Sequence, residues 1–541
     1  PELRYAGYDA IVIRGKASKP VYIDIDDEQA VIRDASSMWG KSTFDAGKMI
    51  QEDLDDPRAE AIAIGQAGEN LVKYAGIFTA AGRFVGKAAA RCGMGTVMGS
   101  KNLKAIAVRG TKSIEVANLD GFMKTVEEVR DLLRNDKNSS WLAPTYGTWF
   151  LVKSIGANGA LVTRNFQTGV FERENEISGD ALREKYLDKA RACFGCPLRC
   201  SHFVKIETGP FAGLRCKGPE FESISMLGSN CGLGEADAII AVTELCDAVG
   251  VDSISCGNVI GFAMELYQRG ILSKEEANGL DLSWGNYESM IQLIKDITYR
   301  KGFGNILAEG VRKAAELIGR GSEAYAMHTK GLEHIGGDPR GQSGFALGYA
   351  TCNRGGDHLG ALPVFEYMGR PEVAEAMFGS KEAATRFGVK GKGRLVKWQE
   401  DLMSVIDSMG VCKCVYAHYS TTFDKILAVS PERLPKLFTY ATGIEISTAE
   451  MLMAGERMWN LERAFNVREG LTRKDDTLPD RFLKEPFKEG ASAGSVVKLE
   501  PMLDEYYEAR NWDKATGNPT REKLVALGLD DAARDLFPEG Q

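Results

Sequence analysis

The segment Ala192-Cys193-Phe194-Gly195-Cys196-Pro197-Leu198-Arg199-Cys200 sets its three thiols two and then three residues apart. Thiols so spaced can converge on one centre, with Gly195 and Pro197 helping the chain turn between them. A [4Fe–4S] cube takes four thiolates, so a distant fourth cysteine is expected. Gly410-Val411-Cys412-Lys413-Cys414 supplies two candidates, Cys412 and Cys414. A structural zinc site needs as many ligands and would have His202 within reach along the chain. Three unliganded core cysteines are the plainest alternative. The order CxxCxxxC is the reverse of the CxxxCxxC order expected of radical-SAM enzymes, which disfavours that class.

Two further segments share a form. Asp247-Ala248-Val249-Gly250-Val251-Asp252 and Asp407-Ser408-Met409-Gly410-Val411-Cys412 each end an apolar helical pattern. Glycine suits the position just past a helix end, because it takes positive φ without penalty. The aspartate three residues earlier projects from the last turn, where its charge opposes the helix dipole and calls for a compensating partner. A carboxylate placed so suits a planar ligand edge with adjacent N–H donors.

These groups need elements to hold them. Tyr8–Arg14, Pro20–Ile25, 61–65 and 103–109 read as short strands, with a helix near 44–54. From Leu119 onward the spacing turns helical, at 119–133, 236–249, 257–269, 286–300, 305–318, 395–409 and 447–463. The fold class expected is α+β. A β-rich N-terminal domain spans 1–118, and two mainly α-helical domains span 119–330 and 331–541. The charged tail from Met502 reads as a surface helix plus coil.

Composition sets the outer limits. At roughly 100–200 residues per domain, 541 residues suggest about three or four domains or one large multi-lobed body. The hydrophobic share is 44% and the charged share 26%, which excludes a mainly disordered chain. A net charge of −8 argues against a nucleic-acid partner. No apolar run reaches the length of a membrane span. Eleven cysteines are too sparse for a disulfide scaffold, and the charged first twenty residues do not read as a signal peptide. A reducing, cytoplasmic setting is the expectation. Sixty glycines, spread without a period, suggest many close backbone approaches, as around a large buried ligand.

The chain resembles the tungsten-containing aldehyde ferredoxin oxidoreductases over essentially its whole length. The resemblance is carried by Tyr5-Ala6-Gly7-Tyr8-Asp9, Arg33-Asp34-Ala35-Ser36, Ala67-Gly68-Glu69-Asn70, Met98-Gly99-Ser100-Lys101-Asn102-Leu103-Lys104-Ala105-Ile106 and Asn165-Phe166-Gln167-Thr168-Gly169. It continues in Gly218-Pro219-Glu220, Asp338-Pro339-Arg340-Gly341, Asn353-Arg354-Gly355-Gly356 and Asp476-Thr477-Leu478-Pro479. It implies one tungsten atom clamped by two molybdopterin dithiolenes, with Mg2+ bridging the pterin phosphates and a [4Fe–4S] cluster nearby. Molybdenum is the alternative, since the family gives the metal no side-chain ligand.

By the same resemblance Cys193, Cys196, Cys200 and Cys412 hold the cluster, with Cys414 the weaker candidate. Asp247 and Asp252 bind one pterin; Asp407 and Val411 bind the other. Arg91, Gly93 and Gly95, in Arg91-Cys92-Gly93-Met94-Gly95, form the glycine-rich loop over the cofactor. Glu222 matches the family's glutamate near the metal and His358 its active-site histidine. The implied reaction is oxidation of an aldehyde to a carboxylic acid. His358 hydrogen-bonds the carbonyl oxygen and Glu222 accepts a proton. The electrons pass to ferredoxin or a partner Fe–S subunit. A tungsten-dependent reductase of aromatic acyl-CoA is the second reading, and an Fe–S electron-transfer subunit without pterin the third.

Three departures stand out. The family has a longer segment ahead of Glu2-Leu3-Arg4-Tyr5-Ala6, which implies a first domain that is truncated here or supplied by a separate chain, and an isolated chain that binds the cofactor poorly. Phe84-Val85-Gly86-Lys87-Ala88 reads as a short insertion before Arg91. Ala241-Val242-Thr243-Glu244 lacks the Glu-x-x-His of some members, so an oligomer is open but a metal-bridged homodimer is unsupported.

Overall fold

The computed structural model describes residues 1–82, 86–367, 369–415 and 432–538. Strands β1 (Val21–Asp26), β2 (Gln29–Asp34), β3 (Glu60–Ala63), β4 (Ile77–Ala81), β5 (Ala88–Ala89) and β6 (Leu103–Arg109) build one sheet in the order β2-β1-β6-β3-β4-β5. β1 runs parallel to β6, and the other neighbours are antiparallel. Alanines on one face (Ala61, Ala63, Ala80, Ala105 and Ala107) make a flat seat for the helix Thr43–Asp53. The seat is close: a Cβ on Gly47 of that helix would lie 2.0 Å from the Ala80 carbonyl oxygen.

Tyr8–Arg14 does not form the expected strand. It runs as irregular chain with Val12 at the surface, because no neighbouring edge pairs with it, and β-propensity expresses itself only against a partner. The helix expected over 305–318 is two, Phe303–Leu307 and Val311–Ile318, broken at Gly310 with φ +83°. The 236–249 helix spans Ala236–Val249 as expected. The next begins at Ser253, earlier than its apolar pattern, because Asp252 caps it.

Two larger cores follow the sheet domain. One surrounds the helix Ser253–Gln268, which is buried on every side. The other gathers the helices Lys392–Ser408, Thr448–Arg468 and Leu499–Arg510. The last of these corrects the expectation of a surface tail. Met502, Leu503, Tyr506 and Tyr507 are buried, and Arg510 beside them is paired with Glu400 and Asp401 at 2.6 Å each. Its charges read as surface only because their partners lie a hundred residues away.

A three-stranded antiparallel sheet of β7 (Leu187–Arg191), β8 (Ser201–Lys205) and β9 (Arg215–Lys217) interrupts the helical region. Arg191 faces Ser201 across β7 and β8, so the loop between them carries all three clustered cysteines. Among the described residues no helix is long and apolar enough to cross a membrane.

The first Asp-Gly segment is clamped to the sheet domain. Thr43 Oγ1 donates to the Asp247 carbonyl at 2.8 Å, Gly76 N–H to the Gly250 carbonyl at 3.0 Å, and Asp252 N–H to the Tyr74 carbonyl at 3.0 Å. Gly250 has φ +79°, and a Cβ there would lie 2.5 Å from the Gly65 nitrogen. Gly410 has a similar φ of +68°, but a Cβ there meets nothing within 4 Å among the described residues. Gly250→Ala is therefore expected to cost about 3 kcal/mol, backbone strain plus overpacking, and Gly410→Ala about 1 kcal/mol, strain alone. Chemical unfolding of the two variants checks the ordering; equal losses would refute it.

Candidate active site

Glu222 lies in the first turn of the helix Phe221–Leu227, with Glu220 at its N-cap. Both border a cavity of about 510 Å³, together with His358. Their surroundings differ sharply. Glu220 Oε1 accepts from Lys87 Nζ at 3.2 Å and lies 3.9 Å from Lys217 Nζ, while its Oε2 accepts from Thr148 Oγ1 at 2.8 Å. Burial alone would raise its pKa, but Lys87 and Lys217 outweigh it and hold the carboxyl at about 2. Glu222 has no such cation against it. Its Oε2 accepts from the Gly336 N–H at 2.7 Å, and its Oε1 lies 3.7 Å from His358 Nε2. Burial pushes Glu222 up to about 7, aided by the nearby Asp357 and Asp252 and opposed by the Gly336 N–H and Arg91. Two glutamates, two residues apart, are thereby split into a fixed anion and a group that exchanges protons near neutrality.

His358 is held from the side by its neighbour. Asp357 is fully buried, and its carboxylate meets Arg354 Nη2 at 2.8 Å and Arg91 Nη1 at 3.5 Å. Despite burial, these guanidinium groups keep it ionised well below the usual carboxylate range. Asp357 Oδ1 also accepts from the Leu359 N–H, while the His358 carbonyl accepts from Leu362 N–H at 2.8 Å. Both bonds fix the backbone on which the imidazole stands.

Arg91 reaches across the interface between the sheet domain and this segment. Nη1 donates to the Gly356 carbonyl at 3.0 Å and Nη2 to the Glu333 carbonyl. Its Nε has no hydrogen-bond partner among the described residues, the nearest carboxylate being Asp252 at 3.7 Å. Gly93 and Gly95 have a local reason to be glycine. A Cβ on Gly93 would lie 2.2 Å from the Lys73 carbonyl oxygen, and one on Gly95 2.3 Å from that of Gly76. The close approach is to the chain's own backbone, on a face where the sequence suggested ligand. Lys87 of the apparent insertion belongs to the site through Glu220; Phe84 and Val85 lie outside the described residues.

The two Asp-Gly segments differ in their carboxylates too. Asp247 is buried, and burial raises it to about 6 against the pull of Lys217. Asp252 caps the following helix, accepting from the Ile254 and Ser255 N–H groups at 3.3 and 3.0 Å. Asp407 is 61% exposed, with Lys413 Nζ at 2.8 Å as its compensating cation. Val411 is half-buried, and its N–H closes the helix end on the Ile406 carbonyl at 3.0 Å. Asp407 borders a hollow of about 520 Å³ that Arg354 shares, and Arg354 also rims a second hollow of about 220 Å³ beside Cys92 and Gly93. Of the expected cofactor residues, Asp407 borders the first hollow and Gly93 the second, and Arg354 borders both.

At pH 7 the buried Asp247 charge costs stability. Its folded pKa exceeds the unfolded value, so stability falls as pH rises from about 4 through 6 and stays reduced above that. Asp247→Asn is expected to stabilise the cofactor-free protein by about 2 kcal/mol at pH 7 and by almost nothing at pH 4. Unfolding curves at the two pH values test this; a loss of stability at pH 7 would mean that the carboxylate is better compensated than Lys217 and Lys87 allow.

The thiols come together. Cys414 lies against both Cys200 and Cys412, and Cys193 and Cys196 lie within electrostatic reach of Cys200 and Cys412. Cys196, Cys200 and Cys414 share one small apolar patch with Leu133, Ala143 and Leu198. Lys87 sits close enough to influence Cys193 and Cys200. His202 is elsewhere employed, with Nε2 3.1 Å from the Pro144 carbonyl and its ring 4.4 Å from that of Trp149. Among the described residues no three His, Cys, Asp or Glu groups are drawn onto a single ion. Five thiols gathered around a shared region, with a lysine above them, fit the donor chemistry of a multi-iron cluster. The residues that sequence reasoning missed here are Lys87, Lys217, Arg354 and Asp357. Only Asp357, next to His358, had a signal in its position.

A neutral-range acid facing a histidine, on a large cavity beside a nest of thiols, is the architecture of an oxidoreductase that works with a bound redox group. The comparisons agree. Residues 1–110 match the family model for the aldehyde ferredoxin oxidoreductase N-terminal domain, and 124–529 that for its domains 2 and 3. The tungsten-containing aldehyde ferredoxin oxidoreductases of Thermococcus kodakarensis and Pyrococcus furiosus are each 41% identical over 531 residues, 98% of this chain and 83% of theirs. The WOR-like subunit of an aliphatic sulfonate oxidoreductase from Pyrococcus furiosus is 31% identical over 99% of this chain and 82% of its own. Among solved structures, the BamBC active-site complex of benzoyl coenzyme A reductase, in complex with 1,5-dienoyl-CoA, superposes with a TM-score of 0.81. That match is 26% identical and covers all of this chain and 84% of the other. The chain belongs to the aldehyde ferredoxin oxidoreductase family and is an oxidoreductase.

Proposed function

We propose that this enzyme oxidises aldehydes to carboxylic acids at a tungsten bis-molybdopterin centre. The observation that carries the reading is Glu222, lifted to about 7 and 3.7 Å from His358 on a cavity wide enough for an organic substrate. When bound, the pterin-held metal supplies the two-electron oxidation, and the protein supplies position and proton transfer. Arg91, with its unused Nε, and Arg354, between the two hollows, would face the anionic parts of the cofactor. Asp247, Asp252 and Asp407 with Val411 would hold its pterin ends, and Mg2+ would join the phosphates.

His358 donates a hydrogen bond to the substrate carbonyl oxygen, where negative charge grows. Glu222 accepts a proton from the reacting water, and its near-neutral pKa keeps it able both to take that proton and to release it. Overall, aldehyde plus water gives carboxylic acid, two protons and two electrons. Cys193, Cys196, Cys200 and Cys412 would hold a [4Fe–4S] cluster, which would supply an electron exit toward ferredoxin or an Fe–S partner subunit.

Metal analysis and an anaerobic aldehyde panel with an artificial acceptor test the reading. Tungsten or molybdenum with about four irons per chain, and acid formed from aldehyde, are expected. Iron alone would leave only an electron-transfer subunit. The likeness to benzoyl coenzyme A reductase favours a second reading, reduction of an aromatic acyl-CoA. That reading would prevail if the loaded enzyme turned over such a thioester and no aldehyde.

A further inference from the structure

The cavity wall carries two amides that the reaction above does not use. Gln342 is 4% exposed and borders the cavity, and its backbone N–H is spent on the Pro339 carbonyl at 3.2 Å. Neither end of its side-chain amide meets a hydrogen-bonding partner among the described residues. An amide with no protein partner on the wall of a cavity is placed to meet a ligand there.

Asn158, also on the wall, is aimed by Arg386. Arg386 Nη1 donates to Asn158 Oδ1 at 2.6 Å and Nη2 to the Asn158 carbonyl at 2.9 Å. With Oδ1 so engaged, Asn158 offers the cavity its Nδ2 donor. Two further donors of Arg386 go to the Gly341 carbonyl at 3.1 Å and Ser492 Oγ at 2.7 Å, and its own carbonyl accepts from Ser343 N–H at 2.7 Å. Arg386 thus ties Asn158 to the residues on both sides of Gln342, and the two amides share one stretch of wall. A row of rings adjoins them: Phe345 lies 6.2 Å from Tyr349 and 6.1 Å from Tyr367, centroid to centroid, and all three border the cavity.

We infer that Gln342 and Asn158 select an aromatic aldehyde carrying a neutral oxygen substituent, of the hydroxybenzaldehyde class, whose aldehyde group meets Glu222 and His358. The inference rests on the aldehyde reading proposed above. The ring row suits an aromatic body. A hydroxyl both donates and accepts, which matches a glutamine amide offering both and an asparagine offering a donor. A carboxylate in that place is disfavoured, because four of the five Arg386 N–H donors are already spent on the wall and the anionic Glu220 borders the same cavity. A site with buried polar groups discriminates against an analogue that leaves them unpaired.

The test compares kcat/KM for 4-hydroxybenzaldehyde and benzaldehyde in the metal-loaded enzyme and in Gln342→Met and Asn158→Asp. The aspartate keeps the Arg386 contact and removes the donor. The hydroxyl also changes intrinsic reactivity, so the quantity read is the shift of the ratio between wild type and variant. Gln342→Met is expected to lower the ratio about tenfold, the size of one or two neutral hydrogen bonds, and Asn158→Asp to lower it in the same direction. Calorimetry with 4-hydroxybenzyl alcohol and benzyl alcohol reads the amides without turnover. Wild type should bind the phenol about tenfold more tightly, and Gln342→Met should not. An unchanged kcat/KM ratio, or equal binding of the two alcohols to wild type, overturns the inference. Absence of turnover on either aldehyde with the phenol still preferred in binding would overturn the aldehyde reading and leave the phenol-selecting wall standing.

Discussion

Glu222→Gln should reduce kcat by about 10²–10⁴-fold and leave tungsten and iron at wild-type levels. The carboxyl touches no thiol of the cluster nest, and its one protein hydrogen bond, from Gly336 N–H, can be kept by the glutamine oxygen. Its pKa of about 7 gives the effect a signature. A general base works only when deprotonated, so the wild-type rate should climb with pH through about 7. The glutamine variant should lose that limb along with the rate. Stability should move the other way. The folded-state pKa is raised, so burying the charge lowers stability as pH passes from about 4 through 7. Glu222→Gln should therefore unfold at a higher temperature than wild type at pH 8 and at the same temperature near pH 4. Glu220→Gln provides the contrast, since Glu220 is already ionised at about 2 and paired with Lys87. It should be destabilised at pH 8 and keep the limb. His358→Ala should also lower turnover strongly with both metals retained. A surviving ascending limb in Glu222→Gln would remove Glu222 from the proton path.

The contrast between these two glutamates also shows where the sequence stops speaking. Residues 220 and 222 differ by one intervening phenylalanine, and nothing local ranks them. The ranking comes from Lys87, more than a hundred positions upstream, and from Gly336, as far downstream. The resemblance favoured Glu222, and the geometry supplies the physical ground. The same holds for Asp247 and Asp407, whose segments look alike because both obey the same helix-end rule. Packing then separates them, one clamped against Gly65 and the other open to solvent.

Fold legibility divides along similar lines. The helix Ala236–Val249 was readable to the residue because its apolar spacing and its terminal Gly250 agree. Strands β1, β3 and β6 were readable because β-branched and alanine runs are bounded by turn residues. β7 to β9 were not, because Leu187–Arg191 is mostly charged and half-exposed and gains its strand character only by pairing with β8. The buried tail helix was missed for the opposite reason: Arg510 pairs with carboxylates that no local window contains. The Gln342 amide gives no sequence signal, since an isolated glutamine is ordinarily a solvated residue.

Cys412→Ser is expected to lose the iron–sulfur cluster, whereas Cys414→Ser should retain it. Spacing alone left both cysteines open. In the structure Cys414 lies against both Cys200 and Cys412, and its single S–H can be given to either. Receiving such a bond stabilises a thiolate, and the thiolate is the form that binds iron. Cys200 and Cys412 are accordingly shifted below the ordinary thiol range by the Cys414 contact, while Cys414 itself is pushed well above it. Cys412, exposed and shifted toward the thiolate, suits a ligand; Cys414, shifted the other way, suits a supporting thiol. Iron content separates the alternatives directly: about four irons per chain should remain in Cys414→Ser and markedly fewer in Cys412→Ser. A supporting donor also leaves a trace in the potential, because hydrogen bonds to cluster sulfurs make reduction easier. Cys414→Ala, which cannot donate, should then show a more negative cluster potential than Cys414→Ser, with iron retained in both. Loss of iron in Cys414→Ser with retention in Cys412→Ser would exchange the two roles, making Cys414 the fourth ligand and Cys412 its exposed neighbour.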